Sequence, residues 1–308
     1  MALNFARDTD VYLYHGNSYY KLHVSQIEFD QAFQQDSYKT KTIDKPTNLV
    51  DASKITAANV ANFNITLPMV DESSTYQHII LQLLLSNTNN TLDTFTLYVD
   101  PSTSNEADSY RRMYQISNCV LTSGSFTIGN NAVMQLQVTG QASQVSRINY
   151  SSFNIGNYTT FDSLTYAVSK IINVTVDGSL LEGIFGVALE VQNNISWTKN
   201  KTLQNSLDIL GHSQTVYPAS FVFTERVVSG SITQYIGNSL AAYSNIQTWK
   251  ENIAVRIQAG LASNNFQLDA QLSPCSFTNR VTPTEIYSQA YDYRMMGHPS
   301  NLNNSFTY

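Results

Sequence analysis

The fold class expected from this chain is all-β, built as two tandem β-sandwich or β-barrel domains, each flanked by one α-helix. Three observations lead there. Strand-forming residues are abundant, with Tyr 19 and Phe 14, and β-branched and aromatic side chains favour the pleated, half-buried surface of a sheet. Apolar residues recur with a period of two over most of the chain, the spacing of a strand with one buried face. A strand–helix–strand unit over residues 63–99 is echoed by a second over residues 219–260, so the order of elements repeats.

In the first unit Phe63, Ile65, Leu67 and Met69 alternate with Asn64, Thr66 and Pro68. A helix is then expected over residues 76–85, capped by Ser73 or Ser74, with Tyr76, Ile79, Ile80, Leu83 and Leu84 on one face. Phe95, Leu97 and Val99 resume the strand period. In the second unit the matching helix is expected over residues 239–251, capped by Ser239, with Ala242, Ile246 and Trp249 at i, i+4, i+7. Gly16 with Gly178, Phe29 with Trp197, Phe63 with Phe221 and Cys119 with Cys275 serve as anchors between the copies. The domains are expected at residues 1–150 and 166–308, joined by a Ser/Asn/Thr/Gly-rich linker at 151–165.

Upstream, residues 11–20 read as a strand turning at Gly16-Asn17, and residues 19–29 as a continuous second strand. Leu22 and Val24 would face the core there, and Lys21, His23 and Ser25 the opposite side. Asp177-Gly178 is a strong hairpin signal in the second copy. Residues 30–62 are polar, mixed in charge and interrupted by Pro46, and read as a long loop; loops of that length are commonly functional or disordered. Residues 105–114 read as a helical turn, and 118–128 with 132–140 as a hairpin about residues 129–131. The last dozen residues lack periodicity and are expected to order only against another subunit.

Composition narrows the function. The charged fraction is 13% and the net charge −6, while mean hydropathy is only −0.21, so Asn, Gln, Ser and Thr supply the polarity. No basic run suited to gripping phosphates occurs, which disfavours a DNA-clamping protein. An apolar leader and a membrane-spanning segment are both absent from the pattern, since the run IILQLLL is too short to span a bilayer. Cys119 and Cys275 are expected as buried free thiols. His15, His23, His78, His212 and His298 have no ligand partners at metal-binding spacing, no cofactor fingerprint is present, and Asp71-Glu72 suits a helix N-terminus. No catalytic, cofactor or metal residues are assigned.

This layout resembles the tail tube protein of long-tailed bacteriophages in its duplicated, two-domain form. The hairpin of residues 11–29, the arm at 30–62, the unit at 63–99 and the closing strand pair at 118–140 carry the resemblance, with their second-half echoes. It implies a structural virion protein whose domains join their sheets into an inner barrel. Homotrimeric rings with pseudo-sixfold symmetry would stack into a conduit through which double-stranded DNA passes without tight binding. Implied partners are the tape measure, the tail terminator and tail tip or baseplate proteins; the implied location is the virion tail, after synthesis in the host cytoplasm. On that resemblance the arm residues Lys39, Lys41, Asp44, Lys45, Asp51 and Lys54 become candidate inter-ring contacts, and Asn64, Thr66 and Glu28 candidate lumen-facing residues. A virion receptor-binding or capsid-decorating β-protein, and a β-sandwich carbohydrate-active enzyme, are the alternatives.

Overall fold

The computed structural model describes residues 9–41, 49–69, 75–85, 91–101, 112–129, 132–150, 153, 158–159, 168–198, 217–237, 240, 242, 248–262, 265–283, 285–296 and 306–307. The chain is all-β in class, with one helix among the described residues.

The first half opens with β1 (Asp10–His15), β2 (Ser18–Leu22), β3 (Gln26–Asp30), β4 (Phe33–Lys41), β5 (Leu49–Ala58) and β6 (Ala61–Pro68). After α1 (Thr75–Leu85) come β7 (Phe95–Asp100), β8 (Arg112–Gly129), β9 (Ala132–Val133), β10 (Gln135–Ala142), β11 (Gln144–Asn149) and β12 (Tyr158–Thr159). The second half contains β13 (Val168–Val176), β14 (Ser179–Leu180), β15 (Ile184–Trp197) and β16 (Phe221–Tyr235). It continues with β17 (Trp249–Ala262), β18 (Asn265–Thr282), β19 (Ser288–Met295) and β20 (Phe306–Thr307).

In the first half, neighbours run β2-β1-β7-β8 on one sheet and β8-β10-β6-β3 on the other. The long β8 belongs to both, and Asn118 inside it takes a left-handed φ of 55° where the strand passes between them. In the second half the neighbours run β14-β13-β17-β18-β19-β16-β15. Strand for strand, this is the same order. The seam between halves is the antiparallel pair β8–β15, from Gly186↔Gly129 to Gln192↔Ser123. A single ladder therefore runs from β3 across into the second half, and one buried hydrophobic cluster contains residues of both halves.

Local chemistry explains these elements. Both opening hairpins close on two residues of positive φ, Gly16 and Asn17 (56° and 65°) and Asp177 and Gly178 (51° and 79°); that geometry matches the twist of the flanking strands. By these turns the counterpart of Gly16 is Asp177. Ala61, Phe63, Ile65 and Leu67 of β6 are buried, and the residues between them are not. On α1, Ile79, Ile80, Leu81, Leu83, Leu84 and Leu85 are buried while Gln82 is exposed. The helix packs so tightly on β8 that a Cβ at Gly124 would run into Leu84.

Several expectations are corrected. Thr248 and Trp249 are not helical: Trp249 opens β17 and is exposed, while residues 239, 241 and 243–247 lie outside the described set, as do Ser73 and Ser74. Apolar spacing at i, i+4, i+7 is too sparse here to outweigh pairing of β17 with β18. Residues 33–41 and 49–58 of the arm are not loop but the ribbon β4–β5, paired from Phe33↔Ala58 to Lys41↔Leu49. Residues 19–29 are not one strand: the chain leaves one sheet after Leu22 and enters the other at Gln26. Residues 112–114 belong to β8 rather than to a helical turn. Residues 144–149, for which no element was expected, form β11 against the start of β8. At the far end Phe306 is buried and β20 pairs with β18 of the same chain, so residues 306–307 of the expected tail are held by their own fold, while 297–305 and 308 lie outside the described residues.

Candidate functional site

The continuous sheet has one apolar and one polar face, because side chains alternate along every strand. On the polar face a single row can be followed by cross-strand register from β3 to β18. It reads Gln26, Thr66, Gln137, Ser125, Glu190, Ser229, Arg294 and Ser276. The next row begins Glu28, Asn64, Thr139, Ser123 and Gln192. Local hydrogen bonds tie these side chains down. Gln26 Nε2 donates to Glu28 Oε1 at 2.7 Å, Gln137 Nε2 to Asn64 Oδ1 at 3.4 Å, and the Ser123 and Thr139 hydroxyls lie 2.6 Å apart.

The charges on this face are unequal. Glu28, Asp30, Glu190 and Asp292 lie on it, with Glu225 reaching its border, against Arg280 and Arg294. Each guanidinium is already engaged: Arg280 meets Asp292 at 3.2 Å and Arg294 meets Glu225 at 3.7 Å. A groove of about 420 Å³ in the face is bordered by Glu28, Asp30, Asn64, Thr139 and Gln141, with Phe63 and Gly140 at its base. The surface is thus hydroxyl- and amide-rich and mildly acidic.

Of the sequence-derived candidates, Glu28, Asn64 and Thr66 are brought together on this face, with Glu28 directly opposite Asn64. Lys21, expected near the same surface, instead lies in the β1–β2 sheet and pairs with Asp10 at 2.8 Å. Lys39, Lys41, Asp51 and Lys54 fall in the ribbon β4–β5, where Lys39 stands opposite Asp51 and Lys54 opposite Asp36. Asp44 and Lys45 lie outside the described residues. No cluster of metal-binding side chains occurs among the described residues, and no helix there is long and apolar enough to cross a membrane.

Sequence reading missed the clamp at the seam. Arg226 of β16 is buried and reaches back to the C-terminus of α1, donating from Nη2 to Leu84 O at 3.1 Å and from Nη1 to Leu85 O. Its Nε donates to Asn193 Oδ1 at 2.7 Å, and Asn193 Nδ2 donates in turn to Leu84 O and Leu121 O. The last turn of α1 contains no basic residue, so the cation that complements its dipole comes from the other half of the chain. Burial lowers the Arg226 guanidinium to about 10. The only sequence signal was an arginine at an inward position of an alternating strand. Cys119 and Cys275 are buried free thiols, both pushed up by burial, Cys275 to about 11.

No curated protein matches the chain. Among solved structures, it is similar to the sheath/tube terminator of the extracellular contractile injection system PVC in the extended state. That match has 11% identity and a TM-score of 0.36, covering 48% of this chain and 98% of that one. It is also similar to a chain of the PVC sheath-tube complex (14%, TM-score 0.34, 48% and 92% covered) and to one of the anti-feeding prophage tube-terminating cap (16%, TM-score 0.34, 48% and 93% covered). A family model described as the Bacteriophage Baseplate Tube Protein Family matches residues 1–307. The chain belongs to that family and has a structural, tail-tube-related role rather than an enzymatic one.

Proposed function

We propose that this chain is a tube-wall subunit in which two tandem tube domains act as neighbouring segments of one ring. Three copies then close a pseudo-sixfold ring, and the polar sheet face lines the bore through which double-stranded DNA passes. The observation that carries the reading is the uninterrupted polar row from Gln26 to Ser276 across both halves, on a face whose Arg280 and Arg294 guanidiniums are already ion-paired. Tight DNA binding draws on Lys and Arg that release counterions from phosphates. A wall of Gln, Ser, Thr and Asn with excess carboxylate supplies no such contacts and lets the duplex slide.

The equal strand order of the two halves supports the tandem reading, and the ribbon β4–β5, placed as an arm off the first half, supports its role between stacked rings. The family's name favours the tube segment within the baseplate. In the repeated body of the tail the same ring would be the major tube subunit. Tape measure, terminator and tip or baseplate proteins are the neighbours this position implies.

Negative-stain microscopy of the purified protein tests the reading. Single rings or short stacks with an open centre support a baseplate segment, and long tubes support the tube body. A protein that stays monomeric at high concentration, or a reconstructed bore of net positive potential, would refute it.

A further inference from the structure

The two halves present equivalent ends to very different surroundings. In the first half Met69 N donates to Met134 O at 2.8 Å, and in the second Ile236 N donates to Tyr287 O at 2.9 Å, one bond at the same place in the fold. Met69 and Met134 are 2% and 1% exposed, whereas Ile236 and Tyr287 are 44% and 57% exposed. Phe126 of β8 is fully buried, and its counterpart in β18, Val281, is 53% exposed. Two elements seal the first end: β15, which pairs along β8, and the start of β13, which pairs with β9 beside Met134. Nothing among the described residues does this for the second end. Residues 280–282 of β18 pair only with β19, and β3, which holds the place of β15 in the first half, pairs only with β6.

We infer that the exposed end formed by β18, β19 and the end of β16 seats the first half of a second copy, whose β3 adds to β18 as β15 adds to β8. The inference rests on the ring-building reading and names its contact. The seam sets the register. Glu190↔Ser125 and Leu189↔Phe126 become Asp30 opposite Arg280 and Phe29 opposite Val281. Charge is complementary where the seam sets a carboxylate opposite a hydroxyl: Arg280, paired with Asp292 and still 69% exposed in its side chain, gains the exposed carboxylate of Asp30 as a second partner. The bare Ile236, Val281 and Tyr287 gain the cover that Met69, Phe126 and Met134 already have. Unpaired edges and exposed apolar rims are the features a chain retains when another chain completes them. The contact is head-to-tail, so it propagates until a ring closes.

Mixing full-length Asp30→Cys protein with full-length Arg280→Cys protein under mild oxidation tests the register, since the native thiols are buried. A cross-linked dimer in the mixture, and in neither protein alone, is the expected result. Asp30→Arg and Arg280→Asp should each reduce assembled species on mass photometry by about tenfold, and the double reversal should restore them. Ile236→Glu with Tyr287→Glu, both at exposed positions, should leave the circular dichroism spectrum unchanged and abolish assembly. Rings that form without the cross-link and are indifferent to these charges overturn this contact and leave the tube reading standing. A cross-link without rings sinks the tube reading and leaves the contact. Neither cross-link nor ring overturns both.

Discussion

The two halves share a strand order but solve the same packing problems with different residues. Phe63 of β6 faces Gly140 of β10, and an added Cβ at Gly140 would strike the Phe63 ring. At the matching cross-strand pair of the second half the glycine is Gly230 on β16 and the ring is Tyr293 on β19. The bulky partner has changed strands. On the outer face, Tyr12, Tyr98 and Phe153 form an aromatic cluster, with Gln115 Nε2 donating to Tyr98 OH. The second-half positions that correspond to Tyr12, Tyr98 and Gln115 hold Asn173, Gln258 and Asp269, linked as amide–amide and amide–carboxylate hydrogen bonds and joined by Arg256. The lesson is that alternation and turn geometry hold the topology, while volume need only be conserved across a pair.

That comparison can be broken most sharply at the ring–glycine pair. Phe63→Gly should cost about 4 kcal/mol through the cavity it opens, and Gly140→Tyr in that background should recover part of it by copying the second half, limited by the Val120 carbonyl oxygen, which an added Cβ would also strike. Urea melts of the single and double variants would measure both; no recovery would mean the two pairs are not interchangeable.

At the seam, Arg226→Ala should cost about 3 kcal/mol, since it leaves the end carbonyls of α1 short of donors in a buried site. Hydrogen exchange should quicken over residues 79–85 before the rest of the sheet. A uniform change over the whole chain would instead make the clamp part of the general core.

A smaller effect is expected from the polar patch that replaces the aromatic cluster. The bidentate Arg256 hydrogen bonds, assisted by Gln258, hold the Asp269 carboxyl below its ordinary value against the opposing effect of burial. A depressed carboxylate contributes stability above its unfolded value of about 3.9 and loses it as pH falls through the folded value. Because Arg256 is 45% exposed, solvent screening limits the pair to about 1 kcal/mol. Asp269→Asn should remove that amount at neutral pH and flatten the acid limb of a stability profile. Substituting Gln115, its non-titrating counterpart, should leave that limb as it is.

The smallest expected change is at the hairpins. Asp177→Ala and Asn17→Ala each put alanine at positive φ, at a cost of about 1 kcal/mol. Equal losses would support equal roles for the two turns, and thermal melts suffice to compare them.

Much of this was legible in the chain itself. Period-two alternation marked β6, β7, β10 and β15, and the Gly/Asn and Asp/Gly pairs marked both hairpins, because face and turn are local properties. It also put Asn64 and Thr66 opposite the core. Glu28 joins them through register, which the alternation of both strands already constrains.

What local pattern could not supply was continuation across space. Phe29 looked like the match of Trp197 and Phe63 of Phe221, yet register pairs Phe29 with Phe63 and Leu189 with Gly230, shifting both correspondences. The reason is physical. β15 and β16 run on where the first half breaks into the separate ribbon β4–β5, and the break at residues 31–32 and 59–60 depends on long-range contacts. Gln31 makes them, hydrogen-bonding Ser143 O and accepting from Val145 N. Lys21 left the polar face for the same kind of reason: the chain switches sheets after Leu22, and only partners distant in sequence decide where a strand ends. Alternation, turns and the buried stripe of α1 were determined by the sequence alone. The seam, the Arg226 clamp and the contrast between a sealed and an open end were decided by tertiary structure, because each joins residues that no local period relates.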